Sequence, residues 1–396
     1  MMDIYLDNAA TTRPHPAVVE AMMGALTDTF GNPSSLHGKG VAAERLVTQA
    51  REAVAATLGV SGAEIVFTSG GTEANNLALA GTVHRARGRH IIVSAIEHSS
   101  VLSPARELAA VGFEITELPV DAEGRLSPAQ LAAALRPDTV LVSVMAVNNE
   151  IGTVQPLDEL ARVVRGHRAG EAVTLLHVDA VQAWGKIPLR PARMGIDLLS
   201  ISGHKVHGPK GVGALYVRRG VRLAPLVRGG DQERALRPGT ENVPGIAGMG
   251  EAARLIGTDG DAPAMAALIR RLRDRLSGIP DVRVNTPQTG AAPHILNVAF
   301  PGVRGETLLH RLEMDGVYIS TGSACHSRQP TPSHVLLAIG RTPDEATSSL
   351  RFSVARFSTV EDIDAAADAV ETAVADLRAL ARPAPNPSTA RGSGRG

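Results

Sequence analysis

The sequence predicts an α/β protein with two domains, the larger built on a mainly parallel sheet and the smaller of α+β type. Between about residues 61 and 217, apolar runs of strand length alternate with helix-like segments. This alternation is typical of a parallel sheet covered by helices on both faces. After about residue 250 it gives way to longer helices and shorter strands. A chain of 396 residues is long enough to bury a core in each domain.

The elements of the larger domain follow from its apolar runs and turn residues. The first helix after a strand is expected to begin near Glu73, because Gly70-Gly71-Thr72 interrupts the strand pattern. The capping box Ser127-Pro128-Ala129-Gln130, with proline at the first helical position, predicts a helix through residues 131–135. The strands are expected at residues 64–69, 91–95, 113–120, 139–145, 173–178, 198–201 and 214–217.

The smaller domain is predicted from a second set of periodic segments. Its helices are expected at residues 264–276, 306–314 and 362–380, and its strands at 294–300, 317–320 and 350–354. The predicted boundaries are 1–14 for an N-terminal segment that joins the small domain, 15–255 for the large domain and 256–381 for the small domain. Residues 382–396 are mostly Pro, Gly, Ser and Arg, which cannot bury a core, so we expect a disordered tail.

Composition excludes several classes of function. Lysine plus arginine and aspartate plus glutamate number 40 each, so no net charge attracts nucleic acid or an anionic membrane. No apolar run approaches the ~18 residues that span a bilayer, and the first residues lack the basic start and apolar core of a signal peptide. The single cysteine, Cys325, rules out an intramolecular disulfide and argues against a metal site. These features predict a cytoplasmic protein.

Two polar residues at the ends of apolar runs carry the strongest functional signal. Lys205 follows the run that begins at Leu198, and Asp179 ends the run before it, about one strand–helix–strand unit earlier. Parallel neighbouring strands would bring the amine and the carboxylate to one edge of the sheet. An amine that forms a Schiff base and an acid that keeps a pyridine nitrogen protonated are what pyridoxal phosphate requires. Alone, each residue is better explained as a surface lysine or a helix cap; together they favour the cofactor.

Other polar residues lie in the same connections between strands and helices. The turn Ser69-Gly70-Gly71-Thr72 offers backbone amides and a hydroxyl to an anion such as phosphate, and Ser202 and His204 add donors beside Lys205. His98 could stack on a flat cofactor and move protons, and Asn149 could reach a ring oxygen or a carboxylate. The alternatives are an ordinary turn, a surface histidine and a turn asparagine.

Two residues of the smaller domain are candidates for substrate chemistry. Cys325 is flanked by small residues and leads into a polar loop with proline, beside His326 and Arg328. This setting favours an accessible nucleophilic thiolate over the buried, inert thiol that unpaired cysteines usually are. Arg351 is a charge inside an apolar strand, and such an arginine usually meets a carboxylate, either structural or belonging to a ligand.

These motifs together resemble the cysteine desulfurases, which are pyridoxal phosphate enzymes of aminotransferase class V with fold type I. The similarity is carried by residues 5–12, 31–35, 68–76, 148–152, 177–182, 202–205 and 237–240, and by 323–325 and 351–353 in the small domain. It covers nearly the whole chain except the tail, in family order. The resemblance therefore implies a fold type I enzyme.

The resemblance also implies how the cofactor, pyridoxal 5'-phosphate, is bound. Lys205 would form the Schiff base, Asp179 would pair with the pyridine nitrogen, and His98 would stack on the ring. Gln182 and Asn149 would reach the phenolic oxygen. The phosphate would be bound by donors at Gly71, Thr72, Ser202 and His204, joined by Thr240 from the other subunit of a homodimer.

For the substrate, the resemblance implies the conversion of L-cysteine to L-alanine. Arg351, with Asn149, would hold the carboxylate, and Cys325 would attack the sulfur and keep it as a persulfide. A sulfur-acceptor protein, serving iron–sulfur cluster assembly or tRNA thiolation, would then receive it. Three alternatives stay open: a selenocysteine lyase acting on L-selenocysteine, which the run Ala324-Cys325-His326-Ser327 also resembles, a class V aminotransferase, and a non-catalytic scaffold.

Overall fold

The computed structural model describes residues 3–168, 173–257, 261–321 and 332–381. The tail predicted to be disordered, 382–396, lies outside these ranges, as does Cys325.

A mainly parallel sheet forms the centre of the larger part of the molecule, as predicted. The strands of the described residues are β1 (Ile4–Tyr5), β2 (Ile65–Thr68), β3 (His90–Ser94), β4 (Glu114–Leu118), β5 (Thr139–Met145), β6 (Leu175–Asp179), β7 (Leu198–Ser202), β8 (Gly213–Val217), β9 (Arg283–Val284), β10 (Ile295–Ala299), β11 (Val317–Tyr318) and β12 (Ser349–Ser353). Seven of them pair in the order β2-β8-β7-β6-β5-β3-β4. Strand β8 runs antiparallel to both neighbours, and the other pairs are parallel.

Helices cover both faces of this sheet because alternate strand residues are apolar on each face. The helices are α1 (Pro16–Thr27), α2 (Gly38–Leu58), α3 (Gly71–Val83), α4 (Ser99–Ala110), α5 (Pro128–Ala134), α6 (Leu157–Arg168), α7 (Pro191–Met194), α8 (Val243–Arg254), α9 (Asp261–Leu276), α10 (Gly305–Met314), α11 (His334–Ala338), α12 (Pro343–Thr347) and α13 (Val360–Ala381). Ile65 and Phe67 pack in one core with α1, α2 and α8, whereas Val66 packs in the other with α3 and α4. Ser127 caps α5, as its capping box predicts.

Helix α8 was not predicted, and its glycines explain both the omission and its packing. Gly248 and Gly250 lower helix propensity, so the sequence carries a weak helical signal. In the fold they allow close approach. A Cβ on Gly250 would lie 2.5 Å from the Cβ of Ala50 on α2, and one on Gly248 would lie 2.7 Å from Met22 on α1. The glycines therefore let three helices pack tightly over the sheet.

The smaller part of the molecule has a hydrophobic core of its own. Strands β12, β10 and β9 form an antiparallel sheet, against which α9, α10 and α13 pack. The N-terminal strand β1 pairs in parallel with β11, and Ile4 and Leu6 are buried in this same core. Among the described residues, no helix combines the length and the apolar character that crossing a membrane requires.

Candidate active site

The carboxyl ends of β6 and β7 form the floor of the site. The two strands are parallel neighbours, and Asp179, the last residue of β6, stands opposite Ser200. Strand β7 ends at Ser202, and a short 3-10 helix, Gly203–Lys205, carries Lys205 past the strand rather than at its last position. Chain topology thus places the amine and the carboxylate at the same edge of the sheet.

A cavity of about 310 Å³ opens at this edge. Its lining residues are Ala9, Ala10, Gly71, Thr72, Asn75, His98, Ser100, Met145, Val147, Asn149, Asp179, Val181, Gln182, Ser202, His204, Lys205 and Arg351. Every predicted site residue is in this set except two. Thr240 is exposed and does not line the cavity of its own chain, and Cys325 lies outside the described residues.

Asp179 is held by two donors in the wall of the cavity. Its Oδ2 accepts a hydrogen bond from Asn75 Nδ2 at 2.7 Å, and its Oδ1 accepts one from the Val181 amide at 2.9 Å. Asn75, on α3, also donates to Ser100 Oγ at 2.8 Å. Sequence reasoning missed Asn75, because one asparagine inside a helix gives no signal of its own. These contacts fix the carboxylate while leaving it at the cavity surface.

The amine of Lys205 contacts the N-terminal segment. Its Nζ donates to the carbonyl oxygens of Ala9 at 2.6 Å and Ala10 at 2.7 Å. The carbonyl of Ala9 also accepts from Gln182 Nε2 at 2.8 Å, and Gln182 Oε1 lies 3.3 Å from Nε2 of the buried His294. His294 is a second residue that sequence reasoning missed. The Lys205 amine and the Gln182 amide therefore lie side by side in one wall of the cavity.

The N-terminus of α3 lies in the cavity lining with Lys205, and helix N-termini can bind anions. The residue before the helix, Gly70, has no side chain that could cap the first helical amides. A Cβ on Gly71 would lie 2.6 Å from Val181 Cγ2, so a larger residue there would displace the Val181 side chain. The buried Ser202 Oγ has no hydrogen-bond partner among the described residues. Burial, together with Lys205 and Lys210, lowers the pKa of His204 to about 4.

His98 caps the helix that follows β3. Its Nδ1 accepts a hydrogen bond from the Ser100 amide at 3.1 Å. An acceptor at Nδ1 leaves the ring proton on Nε2. Burial lowers the pKa of His98 and outweighs the opposing effect of Asp179. The imidazole in the cavity wall is therefore neutral near pH 7 and carries one proton it can donate.

Arg351 meets a carboxylate of the protein and also lines the cavity. Its Nη2 donates to Asp7 Oδ1 at 2.7 Å, and its Nη1 donates to the Asn149 carbonyl at 2.8 Å. The guanidinium is buried, and its Nε has no partner among the described residues. The sequence left open a structural or a ligand carboxylate, and the structure shows the structural one, Asp7, which sequence reasoning missed.

The cavity fits pyridoxal phosphate on its own chemistry. Its lining combines an amine that can react with the aldehyde, a carboxylate that can pair with the ring nitrogen, and a helix N-terminus that can bind the phosphate. Two buried polar atoms in its lining, Asn75 Oδ1 and Ser202 Oγ, have no partner among the described residues. A polar ligand would satisfy such atoms, which are costly when buried alone.

Comparison with known proteins agrees with this geometry. The Aminotransferase class-V family model matches residues 4–366. The cysteine desulfurase IscS of Dictyoglomus turgidum is 45% identical over 386 residues, which cover 96% of each chain. A solved NifS-like protein superposes with a TM-score of 0.89 at 39% identity, covering 95% of this chain and 100% of that one. A structure described as SspA in complex with cysteine gives 0.80 at 37%, with coverages of 90% and 100%.

The chain therefore belongs to the aminotransferase class-V family of fold type I enzymes. Within that family its nearly full-length similarity places it among the cysteine desulfurases.

Proposed function

We propose that this chain is a pyridoxal 5'-phosphate-dependent cysteine desulfurase. It converts L-cysteine to L-alanine and leaves the sulfur on Cys325 as a persulfide. The persulfide sulfur then passes to an acceptor protein of iron–sulfur cluster assembly or tRNA thiolation. The observation that carries the proposal is that Asp179, at the end of β6, and Lys205, just beyond the neighbouring strand β7, line one cavity together with the N-terminus of α3.

Each wall of the cavity would hold one part of the cofactor. Lys205 would hold its aldehyde carbon and Asp179 its ring nitrogen, with His98 and Gln182 beside the ring. The phosphate would be held by donors at the start of α3 and after β7, namely Gly71, Thr72, Ser202 and His204. When bound, this cofactor withdraws electrons from the α-carbon of an amino acid.

The side chains of the site would orient the substrate and move its protons. Arg351 binds the α-carboxylate through its guanidinium, with Asn149 beside it, and the Lys205 amine takes up the α-proton. The thiolate of Cys325 attacks the substrate sulfur, so that an S–S bond forms and the C–S bond breaks. The electron pair of the broken bond stays with the substrate carbon, which takes up a proton and leaves as alanine.

A homodimer would complete the site with Thr240 from a second copy. Thr240 is exposed and apart from the cavity of its own chain. Helix α1 also exposes an apolar stripe, with Val19, Met23 and Leu26 at 49%, 53% and 55% of their full accessibility, continued by Phe30 at 66%. A stripe of this kind is typical of a surface that another chain covers. Light scattering is expected to give twice the chain mass.

The proposed activity is tested by alanine release from L-cysteine and L-selenocysteine, measured side by side with the cofactor-loaded protein. We expect catalytic turnover of cysteine. Turnover of selenocysteine alone would identify a selenocysteine lyase instead. Amino-group transfer to a 2-oxo acid without alanine release from cysteine would identify an aminotransferase.

Asp179→Ala should impair catalysis far more than folding. Without a carboxylate beside it, the ring nitrogen loses its proton and the cofactor withdraws electrons poorly. We expect kcat to fall by ~100-fold or more, the scale of electrostatic contributions to catalysis. Stopped-flow or steady-state alanine release measures it, and thermal unfolding provides the control. A rate on cysteine equal to wild type would mean that Asp179 is not the partner of the pyridine nitrogen.

Arg351→Ala should raise the KM for cysteine by about 10- to 100-fold, since a hydrogen bond to a charged group contributes ~1.5–3 kcal/mol. The cofactor absorbance should persist. Because Arg351 also pairs with Asp7, the variant should unfold at a lower temperature as well. Asp7→Asn is the matched control, since it removes the ion pair and leaves the guanidinium. If both variants lowered the Tm and neither changed KM, Arg351 would be structural only.

A further inference from the structure

The chain segment that contains Cys325 lies between two contacts, one with Arg351, which lines the cavity, and one with Glu150, which follows the cavity-lining Asn149. On its N-terminal side, Ser320 and Arg351 exchange two backbone hydrogen bonds, of 3.2 and 2.7 Å. Arg351 lines the cavity. On its C-terminal side, the chain returns to the described residues at Pro332, and the next residue, Ser333, contacts Glu150. Both ends of the segment are therefore fixed relative to the site.

The contact between Ser333 and Glu150 is buried on both sides. The Ser333 hydroxyl donates to Glu150 Oε2 and accepts from the Leu336 amide at 3.2 Å, so that it also caps α11. Glu150 is 4% exposed and Ser333 is 5% exposed. Burial raises the pKa of Glu150, whereas the Ser333 hydroxyl, His334 and Arg351 act in the opposite direction. A buried carboxyl oxygen deprived of its donor is costly, which makes this contact specific.

A second contact and an apolar cluster support the same junction. His334 Nε2 donates to the carbonyl oxygen of Glu97 at 3.0 Å, and Glu97 directly precedes His98. Val335 and Leu336 of α11 pack with Ile96, Met145 and Ile151 at the ends of the strands. Helix α11 is thereby docked on the connections that carry His98 and Asn149.

Glu150 itself is held rigidly. Asn148 Oδ1 accepts from the Glu150 amide at 2.9 Å and from the Ile151 amide at 3.0 Å, which fixes the turn. Asn297 Nδ2 on β10 donates to the Glu150 carbonyl at 3.2 Å. The neighbouring Asn149 lines the cavity and accepts from Arg351. These bonds are made by backbone groups of residues 149–151, so they remain when the Glu150 side chain is shortened.

We propose that Glu150, acting through Ser333, is a positioning residue for sulfur transfer to Cys325. The inference rests on the proposed function. Cys325 lies five residues after Ser320 and eight before Ser333, which allows at most about 17 Å and 28 Å of reach from the two contacts. Holding one end at the cavity and the other beside it limits the volume the thiol can sample and raises its effective concentration at the substrate sulfur.

The test compares two reactions of the cofactor-loaded enzyme. Alanine release from L-cysteine needs Cys325. Exchange of the α-hydrogen of L-alanine in D2O needs the cofactor and Lys205 but not the thiol. For Glu150→Ala and Ser333→Ala we expect kcat for cysteine to fall by ~10- to 100-fold, as misplacement of a reacting group produces. Hydrogen exchange is expected to stay at the wild-type rate.

Three further variants separate positioning from helix stability. Glu150→Gln keeps an acceptor for the Ser333 hydroxyl and should retain most of the cysteine activity. Thr342 caps α12 as Ser333 caps α11, by accepting a hydrogen bond from the Glu345 amide, but it does not line the cavity. Thr342→Ala should therefore leave cysteine activity unchanged. The Glu150→Ala/Ser333→Ala double variant should be no slower than the slower single one, because the two residues share one contact.

Wild-type cysteine turnover in both single alanine variants would overturn the inference, as would equal losses in cysteine turnover and hydrogen exchange. The first result would show that the contact does not matter for the thiol, and the second that it supports the cofactor site or the fold. Absence of alanine release by the wild-type enzyme would be a different failure. It would overturn the proposed function and, with it, the inference.

Discussion

Lys205→Ala is expected to abolish alanine release from L-cysteine. Within the part of the chain that the structure describes, Lys205 is the lysine that lines the cavity with Asp179, and it would both hold the cofactor covalently and move the α-proton. The loss should exceed the ~10²–10⁴-fold contribution of general acid–base catalysis alone. The visible absorption band of the lysine-bound cofactor should disappear, which spectrophotometry of the purified variant measures directly.

Lys210→Ala is the matched control for this prediction. Lys210 is exposed, lies five residues further along the same glycine-bounded turn, and does not line the cavity. Its replacement should leave both the absorption band and the activity unchanged. Normal turnover by Lys205→Ala, with Tm and folding intact, would show that another amine serves the cofactor and would overturn the assignment.

Cys325→Ser is expected to lose cysteine desulfuration almost entirely while keeping its bound cofactor. Alanine forms only when the electron pair of the C–S bond stays with the substrate carbon, so the sulfur has to be taken by a nucleophile, and an alcohol is far weaker than a thiolate in that role. The reaction to measure is alanine formation under reducing conditions. Because the chain has one cysteine, no second thiol can replace it within the subunit.

Selenocysteine provides the internal control for the same variant. Selenium is more polarizable than sulfur and its bond to carbon is weaker, so a thiol of the reducing buffer can take the selenium atom in place of the protein thiol, while the electron pair of the C–Se bond stays on the substrate carbon. Cys325→Ser should therefore retain measurable alanine formation from L-selenocysteine, together with α-hydrogen exchange of L-alanine. Cysteine turnover at the wild-type rate would contradict the persulfide mechanism.

Strands and strand-end chemistry were predictable from the sequence because their signals are local. Apolar runs bounded by polar turns gave the strands of the central sheet, and β5 was predicted with its observed bounds. Asp179 ends one apolar run and Lys205 follows the next. Because neighbouring parallel strands end at the same edge of a sheet, this spacing predicted that both residues lie at one edge. Helix α8 was not predicted, because its glycines serve packing against Ala50 and Met22 rather than helix propensity.

Contacts between distant segments could not be predicted. Asp7 and Arg351 are 344 residues apart in sequence, and Asn75 and Asp179 are 104 apart. No local pattern relates such partners. The sequence alone therefore could not decide whether Arg351 meets a carboxylate of the protein or one of a ligand. The domain boundaries and the role of Thr240 in a second subunit stay predictions.

The most direct test of the central claim is the mass of the enzyme after one turnover. The cofactor-loaded protein is mixed with one equivalent of L-cysteine without reductant or sulfur acceptor, and the intact chain and its peptides are analysed by mass spectrometry. We predict a gain of one sulfur atom on the peptide that contains Cys325, in equal amount to the alanine formed. Alanine formed with Cys325 unmodified and the sulfur recovered as zero-valent sulfur off the protein would contradict transfer of sulfur to the protein.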